Sequence, residues 1–319
     1  MKVFVTRKIP GPAQELLKNA GFEVVVNPQD KVLTKEELKK AVAGFDAILS
    51  LLSDHIDSEV MDVASKQLKI IANYAVGFDN IDIEEAKKRN IFVTNTPGVL
   101  TEAVAEHTFA LLMTAARRIV EADKFTREGK YKQWEPFGFI GSQVWGKTIG
   151  IIGLGRIGSW VGEIAFNGFR MKILYYDVRQ NPEFEMENQA TFGEIDQILA
   201  QADFVTLHVP LLPETRHLIN SQRLKLMKKT AILINTSRGP VVDETALVES
   251  LKNEEIAGAG LDVFENEPVL TPGLADLPNV VLTPHTASAT REAREAMSKI
   301  AAENIIAALL GQKPPSLVY

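Results

Sequence analysis

Short runs of valine, isoleucine and leucine alternate with longer amphipathic stretches from the first residues of this chain onward, and that alternation constrains the fold more than any other feature. Such short apolar runs read as strands covered on both faces, and the stretches between them are long enough to be crossover helices. The pattern therefore predicts an α/β protein, with βαβ units around buried parallel sheets. A first series of strands is expected over residues 2–6, 22–26, 47–52, 68–72 and 91–94, with helices such as 35–43 between them. After the loop Asn95-Thr96-Pro97-Gly98, a long apolar helix over 102–120 reads as a connector. A second series opens at Thr148 and continues over 172–177, 204–209, 231–235, 259–263 and 280–283, six strands that make a complete Rossmann count. Beyond His285 the pattern gives one helix, 290–310, and no new sheet, so the chain is expected to return to its first domain. One domain is thus expected inside the other, residues 1–98 with 287–319 flanking residues 99–286. Loose segments are expected only near 180–187 and at the C-terminus, and there is no low-complexity tract or short repeat.

Composition serves mainly to exclude. A chain of 319 residues exceeds the size at which a single core usually divides, in line with two domains. With no cysteine, disulfides, thiolate metal sites and a cysteine nucleophile are ruled out. A net charge of -6 without a basic stripe argues against nucleic acid as the main partner. The apolar runs fall short of the roughly 20 residues that cross a bilayer. The opening MKVFVTRKIP enters a strand without an export signal, so a cytoplasmic protein with no membrane partner is expected. No two histidines stand at a ligand spacing such as i, i+4, so no metal site is expected.

The sharpest local signal is Gly153-Leu154-Gly155-Arg156-Ile157-Gly158, which follows a hydrophobic strand directly and opens a helical pattern. That context turns a glycine motif into a dinucleotide fingerprint. Gly153 permits the tight turn, Gly155 lets backbone approach a pyrophosphate, and Gly158 lets helix and strand pack closely. Free amides at the helix start bind the phosphates, and Arg156 adds positive charge there. Asp177 ends the next strand, 24 residues after Gly153, where a carboxylate accepts from both adenosine ribose hydroxyls and repels a 2'-phosphate. NAD is therefore the expected cofactor, with NADP kept open by Arg179 two residues on.

Ligands of open α/β sheets bind beyond the carboxyl ends of the strands, and three ends of the second series carry suggestive side chains. AILIN runs into Thr236-Ser237-Arg238-Gly239, AGLDVF into Glu265-Asn266-Glu267-Pro268, and VVLTP into His285. Each side chain alone has an ordinary reading, as a surface ion pair, a solvated loop acid or a capping residue; together they suit reduction of a 2-oxo acid. Arg238 offers a planar fork for the substrate carboxylate where lysine gives only a point charge, and it polarises the neighbouring carbonyl. Hydride arriving at the keto carbon leaves an oxyanion, and His285 is the residue type suited to protonate it near neutral pH. A carboxylate on the second ring nitrogen orients an imidazole and favours its charged form; Glu267 is preferred to Glu265 because Pro268 fixes its loop. His55, His107, His208 and His217 read as structural, the first and last because no strand-end carboxylate is close in sequence. Asp262, just before the Glu267 loop, reads either as a buried structural acid paired with backbone or as a contact to the nicotinamide amide.

The segments GLGRIG, INTSRGPVVDETAL, GAGLDVFENEP and VVLTPHTASAT, with NYAVGFDNID at 73–82 and NTPGVLTEAVAEHTFALL at 95–112, resemble the D-2-hydroxyacid dehydrogenases over essentially the whole chain. The resemblance implies a flavodoxin-like substrate domain and a classical Rossmann domain inserted into it. It implies Arg238, Glu267 and His285 as catalytic residues. Leu52 and the amides of Val76 and Gly77 would bind substrate along with Arg238 and His285. Thr108, Val209, Pro210, Thr215, Thr236, Ser237, Asp262 and Ser288 would touch the cofactor, besides Gly153, Gly155, Arg156, Ile157, Gly158, Asp177, Arg238 and His285. The D hand comes from the family alone.

LLSDHID at 51–57 is similar to the glyoxylate and hydroxypyruvate reductases, with much shared by 2-ketogluconate reductases. Phosphoglycerate and D-lactate dehydrogenases stand as alternatives, though many of the former carry an extra regulatory domain with no room after Tyr319. Formate dehydrogenases place glutamine where Glu267 stands. The segment after the histidine departs from the common Ile-Gly-Ser-Ala-Thr, reading Thr286-Ala287-Ser288-Ala289-Thr290, so pocket shape is expected to differ. Tyr131, Trp134, Phe137 and Phe139 read as packing or dimer contacts, and a homodimer is the family expectation. A rival from another class is an NAD(H)-sensing corepressor on the same fold, but such scaffolds carry docking extensions that this sequence lacks.

Overall fold

The computed structural model describes residues 1–64 and 67–319 and divides the chain into two compact units, residues 1–100 with 289–319, and residues 101–288. The first unit begins with β1 (Lys2–Val5), α1 (Ala13–Asn19), β2 (Glu23–Val26), α2 (Lys35–Val42) and β3 (Ala47–Ser50). It continues with α3 (Ser58–Ala64), β4 (Ile70–Asn73), α4 (Ile83–Lys88) and β5 (Phe92–Thr94). All five strands are parallel, in the order β2-β1-β3-β4-β5, which is the flavodoxin-like order. Every residue of β3 and β4 is buried whereas edge strand β2 is half-exposed, which is why the central strands read as unbroken apolar runs. Helix α2 starts at a reciprocal cap, Thr34 accepting from the Glu37 amide while the Glu37 carboxylate accepts from the Thr34 amide.

The second unit runs through α5 (Thr101–Ala116), α6 (Ile119–Arg127), β6 (Thr148–Ile152), α7 (Arg156–Phe169), β7 (Lys172–Tyr176), α8 (Pro182–Asn188) and β8 (Thr191–Phe192). It then forms α9 (Ile195–Gln201), β9 (Phe204–Leu207), α10 (Ser221–Leu224), β10 (Ile232–Asn235), α11 (Glu244–Lys252), β11 (Gly258–Leu261) and β12 (Val280–Leu282). The seven strands are again all parallel, ordered β12-β11-β10-β9-β6-β7-β8. Strand order reverses between β6 and β9, and in open sheets that switch point opens the ligand crevice at the carboxyl ends. Helix α12 (Arg291–Leu309), capped by Thr290, belongs to the first unit and packs on α1 and β4. Buried Leu112, Ile149, Ile151, Phe204 and Ile234 fill one face of the second sheet, and Leu199, Val205, Leu233, Leu247 and Leu261 the other. Truncating one of these to alanine costs about 2–5 kcal/mol. Among the described residues no helix is long and apolar enough to cross a membrane.

Three sequence expectations need correction. The second sheet has seven strands rather than six, because β8 is a two-residue edge strand whose Phe192 stacks on Tyr176 at 6.4 Å, too short to leave a periodic signal. The segment expected to be loose near 180–187 contains helix α8, capped by Asn181, with Pro182 at its start and Phe184 buried against Tyr175 at 6.1 Å. The connector is two helices, since Arg118 adopts a left-handed conformation (φ 54°) between α5 and α6 and pairs with Glu121 at 2.6 Å.

Candidate active site

At the switch point of the second sheet, the chain leaves β6 through the glycine loop. Gly153 has φ 97°, and a Cβ there would stand 2.8 Å from the His208 carbonyl group, just past the end of β9, so turn and packing both demand glycine. A Cβ on Gly158 would sit 2.1 Å from the Gly153 carbonyl oxygen, which accounts for the third glycine of the motif. Gly155 is different: its Cβ would meet nothing within 4 Å. It precedes the first turn of α7, which no side chain caps. Open space before uncapped helix-start amides is a cradle that fits a pyrophosphate, with Arg156 and Ile157 opening the helix. The Asp177 carboxylate accepts from the Leu154 amide at 2.6 Å and so ties the end of β7 to the same loop. Arg179 is exposed beyond it.

Beyond β9, Val209 packs toward Gly153, and Thr215 closes the next loop by donating to the Pro210 carbonyl at 2.6 Å and accepting from the Leu212 amide at 2.8 Å. Thr236, after β10, lies 2.9 Å from the Thr108 hydroxyl on α5, which itself donates to the Val104 carbonyl at 2.8 Å. The Thr236 hydroxyl is therefore the donor in the first of these bonds.

Arg238 follows, its Nη1 donating to the Ser237 carbonyl at 2.8 Å. The turn that presents it is held by buried Asn235, which accepts from the amide and hydroxyl of Ser237 at 3.0 and 2.8 Å and donates to the Arg238 carbonyl at 3.0 Å. Glu267 lies in a four-residue turn closed by the Val269 amide on the Asn266 carbonyl at 2.8 Å, with a cis peptide before Pro268. One Glu267 oxygen accepts from the Phe264 amide at 3.1 Å and the other meets His285 Nδ1 at 2.9 Å. That bond leaves Nε2 as the imidazole's outer nitrogen, the position from which a proton can be given to a bound oxyanion.

His285 itself is held by Asp262. The Asp262 backbone carbonyl accepts from the His285 amide at 2.8 Å. Its fully buried carboxylate accepts from the Thr283 hydroxyl at 2.6 Å and from the amides of Thr286 and Ala287, each at 2.8 Å. Burial alone would push this carboxyl up, but His107, Thr283 and the two amides hold it below the usual carboxylate range. Thr283 spends its only proton on Asp262, so it must accept from His107 Nε2, 3.0 Å away. His285 sits at φ 54°, a conformation few non-glycine residues adopt without such support. Thr286, at the departure from the family pattern, adds its hydroxyl to Asp262 at 3.3 Å. Ser288 is half-buried two residues further on.

Sequence reasoning missed some of these partners. His107, read as a helix-interior residue, reaches a strand end, and His217 meets the Glu265 carboxylate at 2.6 Å although 48 residues separate them. His208 lies just past β9 rather than within a strand, and burial pushes its imidazole down to about 3. In the first unit, Leu52 is half-buried after β3, and Val76 and Gly77 follow β4. Asn95 donates to the Val76 carbonyl at 2.8 Å and Asn73 to the Gly77 carbonyl at 2.9 Å. A trans peptide sets N–H opposite C=O, so the Gly77 amide points away from Asn95.

The model of the D-isomer specific 2-hydroxyacid dehydrogenase NAD-binding domain matches residues 109–287, more than half of the chain. The chain belongs to that family. It is an NAD(P)-dependent oxidoreductase. A glyoxylate reductase of Thermococcus kodakarensis is 52% identical over 321 residues, covering 99% of this chain and 96% of its own. One from Pyrococcus horikoshii is 54% identical over 321 residues, covering 99% and 95%. The chain is also similar to a solved structure from Thermus thermophilus, 46% identical with a TM-score of 0.94 and all of both chains covered. The sheet orders and the glycine cradle are thus those of a family member, in its glyoxylate reductase branch.

Proposed function

We propose that this enzyme reduces glyoxylate and similarly small 2-oxo acids, hydroxypyruvate and 2-ketogluconate among them, to the D-2-hydroxy acids, with NADH preferred over NADPH. The observation that carries the reading is the 2.9 Å bond between Glu267 and His285 Nδ1, beside a turn that presents Arg238. Arg238 binds the substrate carboxylate and polarises the keto oxygen; Leu52 and the amides of Val76 and Gly77 are the further substrate contacts in this reading. His285 donates its Nε2 proton to the oxygen as charge develops there, and Glu267 holds the ring in orientation.

When bound, the dinucleotide supplies a hydride. This chain would hold it with the backbone of Gly153, Gly155, Arg156, Ile157 and Gly158, with Asp177 accepting from the adenosine ribose, and with Thr108, Val209, Pro210, Thr215, Thr236, Ser237, Arg238, Asp262, His285 and Ser288. One Asp262 carboxylate oxygen accepts from the Ala287 amide, whereas the other gathers Thr283 and Thr286. The glyoxylate assignment draws on relatives of that name at 50–54% identity over nearly the whole chain. We further propose a cytoplasmic homodimer that buries Trp134 and Phe137, which are 77% and 86% exposed in the single chain.

The test is oxidation of NADH and NADPH with glyoxylate, hydroxypyruvate, 2-ketogluconate, pyruvate and phosphohydroxypyruvate in parallel. Fastest turnover of one of the first three with NADH is expected. Silence with all five despite NADH binding would overturn the reading.

A further inference from the structure

Beyond the residues placed around the reacting carbonyl, a second polar cluster joins the two loops that carry Arg238 and Glu267. Segment 217–219 lies alongside segment 240–243: the His217 amide donates to the Pro240 carbonyl at 2.8 Å, Ile219 to Val241 at 3.1 Å and Asp243 to Ile219 at 3.0 Å. The His217 side chain then crosses to the other loop, Nε2 meeting Glu265 Oε1 at 2.6 Å, with Arg216 at 3.8 Å from the same oxygen.

Glu265 and Glu244 bracket each other. The Glu265 amide donates to Glu244 Oε1 at 2.6 Å, and the Glu244 amide donates to Glu265 Oε2 at 3.3 Å. The second Glu244 oxygen accepts from the Thr271 hydroxyl at 2.7 Å, which ties in the far side of the Glu267 turn. Glu244 is 1% exposed, and burial pushes its carboxyl up; a buried acid kept at such a cost is one whose acceptors are in use. Gly239 closes the assembly, because a Cβ there would lie 1.9 Å from the Phe264 carbonyl group. Phe264 is the residue whose amide holds Glu267 at 3.1 Å.

We propose that Glu244, Glu265 and His217 are positioning residues that lock the Glu267 loop to the Arg238 loop, so that Glu267 stays within reach of His285. The inference rests on the reading that Glu267 orients His285. None of the three touches the reacting atoms; each acts through Glu267. A misplacement of about 1 Å at such a group can cost about 100-fold in rate, while the coenzyme cradle at Gly153 to Gly158 stays intact.

The experiment measures kcat and KM for glyoxylate, NADH affinity by fluorescence, and thermal stability for Glu265→Ala, Glu265→Gln, His217→Ala and Glu267→Gln, and for Glu265→Ala combined with Glu267→Gln. Glu265→Ala and His217→Ala are expected to lower kcat by about tenfold or more with NADH affinity unchanged. Glu265→Gln, which keeps an acceptor for the Glu244 amide, should stay within about threefold of the parent enzyme. In the Glu267→Gln background Glu265→Ala should add less than about twofold, because its effect already runs through Glu267. Full kcat in Glu265→Ala, or the same fold loss in both backgrounds, would overturn the proposal. Full kcat in Glu267→Gln alone would overturn the underlying reading and the proposal with it.

Discussion

Gly239→Ala turns the packing of the two loops into a number. The added Cβ would lie 1.9 Å from both the Phe264 carbonyl carbon and its oxygen and 2.5 Å from the Glu265 amide nitrogen, against an ordinary contact near 3.4 Å. These are backbone atoms on both sides, so no rotamer change relieves the clash, and the loops must part by roughly 1.5 Å. Overpacking of this kind costs about 1–3 kcal/mol, or more where backbone has to move. At about 2–4 °C per kcal/mol for a domain of this size, the melting temperature should fall by roughly 2–12 °C. Activity should suffer more than stability. Phe264 carries the amide that holds Glu267, so a shift of that size draws the carboxylate off His285 Nδ1, now 2.9 Å away. The expected loss in kcat for glyoxylate reduction at saturating NADH is about 100-fold, while NADH still binds through the glycine cradle on β6 and α7. Steady-state NADH oxidation, fluorescence titration of NADH and a thermal melt together read these three quantities. A Gly239→Ala variant within about threefold of wild-type kcat would refute the argument that the two loops are held in contact for catalysis.

Other predictions rest on single contacts. Arg238→Lys exchanges a two-pronged donor for a point charge and should raise KM for glyoxylate while lowering kcat, by about 10- to 100-fold in kcat/KM; unchanged kcat/KM would remove Arg238 from the carboxylate. Asp177→Asn keeps an acceptor for the Leu154 amide but loses the charge, so the NADPH to NADH activity ratio should rise, and a constant ratio would deny Asp177 its part in coenzyme choice. The Asp262 carboxyl is held below its usual range, so its contribution to stability is present above about pH 4 and is lost as pH falls through its folded value. Asp262→Asn sets an amide donor against backbone donors and should cost about 1–3 kcal/mol at pH 7. Its stability should also fall less steeply below pH 4 than the parent's, which urea melts at a series of pH values would read.

Much of this architecture was legible because it repeats: parallel strands buried on both faces leave unbroken apolar runs, and Gly153 and Gly158 each answer a separate steric demand while Gly155 leaves open space before the helix. The three strand ends carrying Arg238, Glu267 and His285 were visible as places where polar residues follow such runs. What the sequence hid is short or distant. Strand β8 has two residues, fewer than any period needs, and the break at Arg118 is one left-handed residue inside an otherwise helical pattern. His107 and Thr283 stand 176 residues apart, and His217 and Glu265 stand 48 apart, so no local pattern could pair them. Helix α8 does carry a local mark, the cap Asn181 followed by Pro182 at its first turn.

In the mechanism proposed above His285 delivers the proton, and one variant tests that role most directly. Purified His285→Ala should still bind NADH, as read by fluorescence, yet reduce glyoxylate about 100- to 10,000-fold more slowly in a single turnover at saturating NADH. Reduction at the wild-type rate would contradict the mechanism, for no proton donor at that position would then be needed.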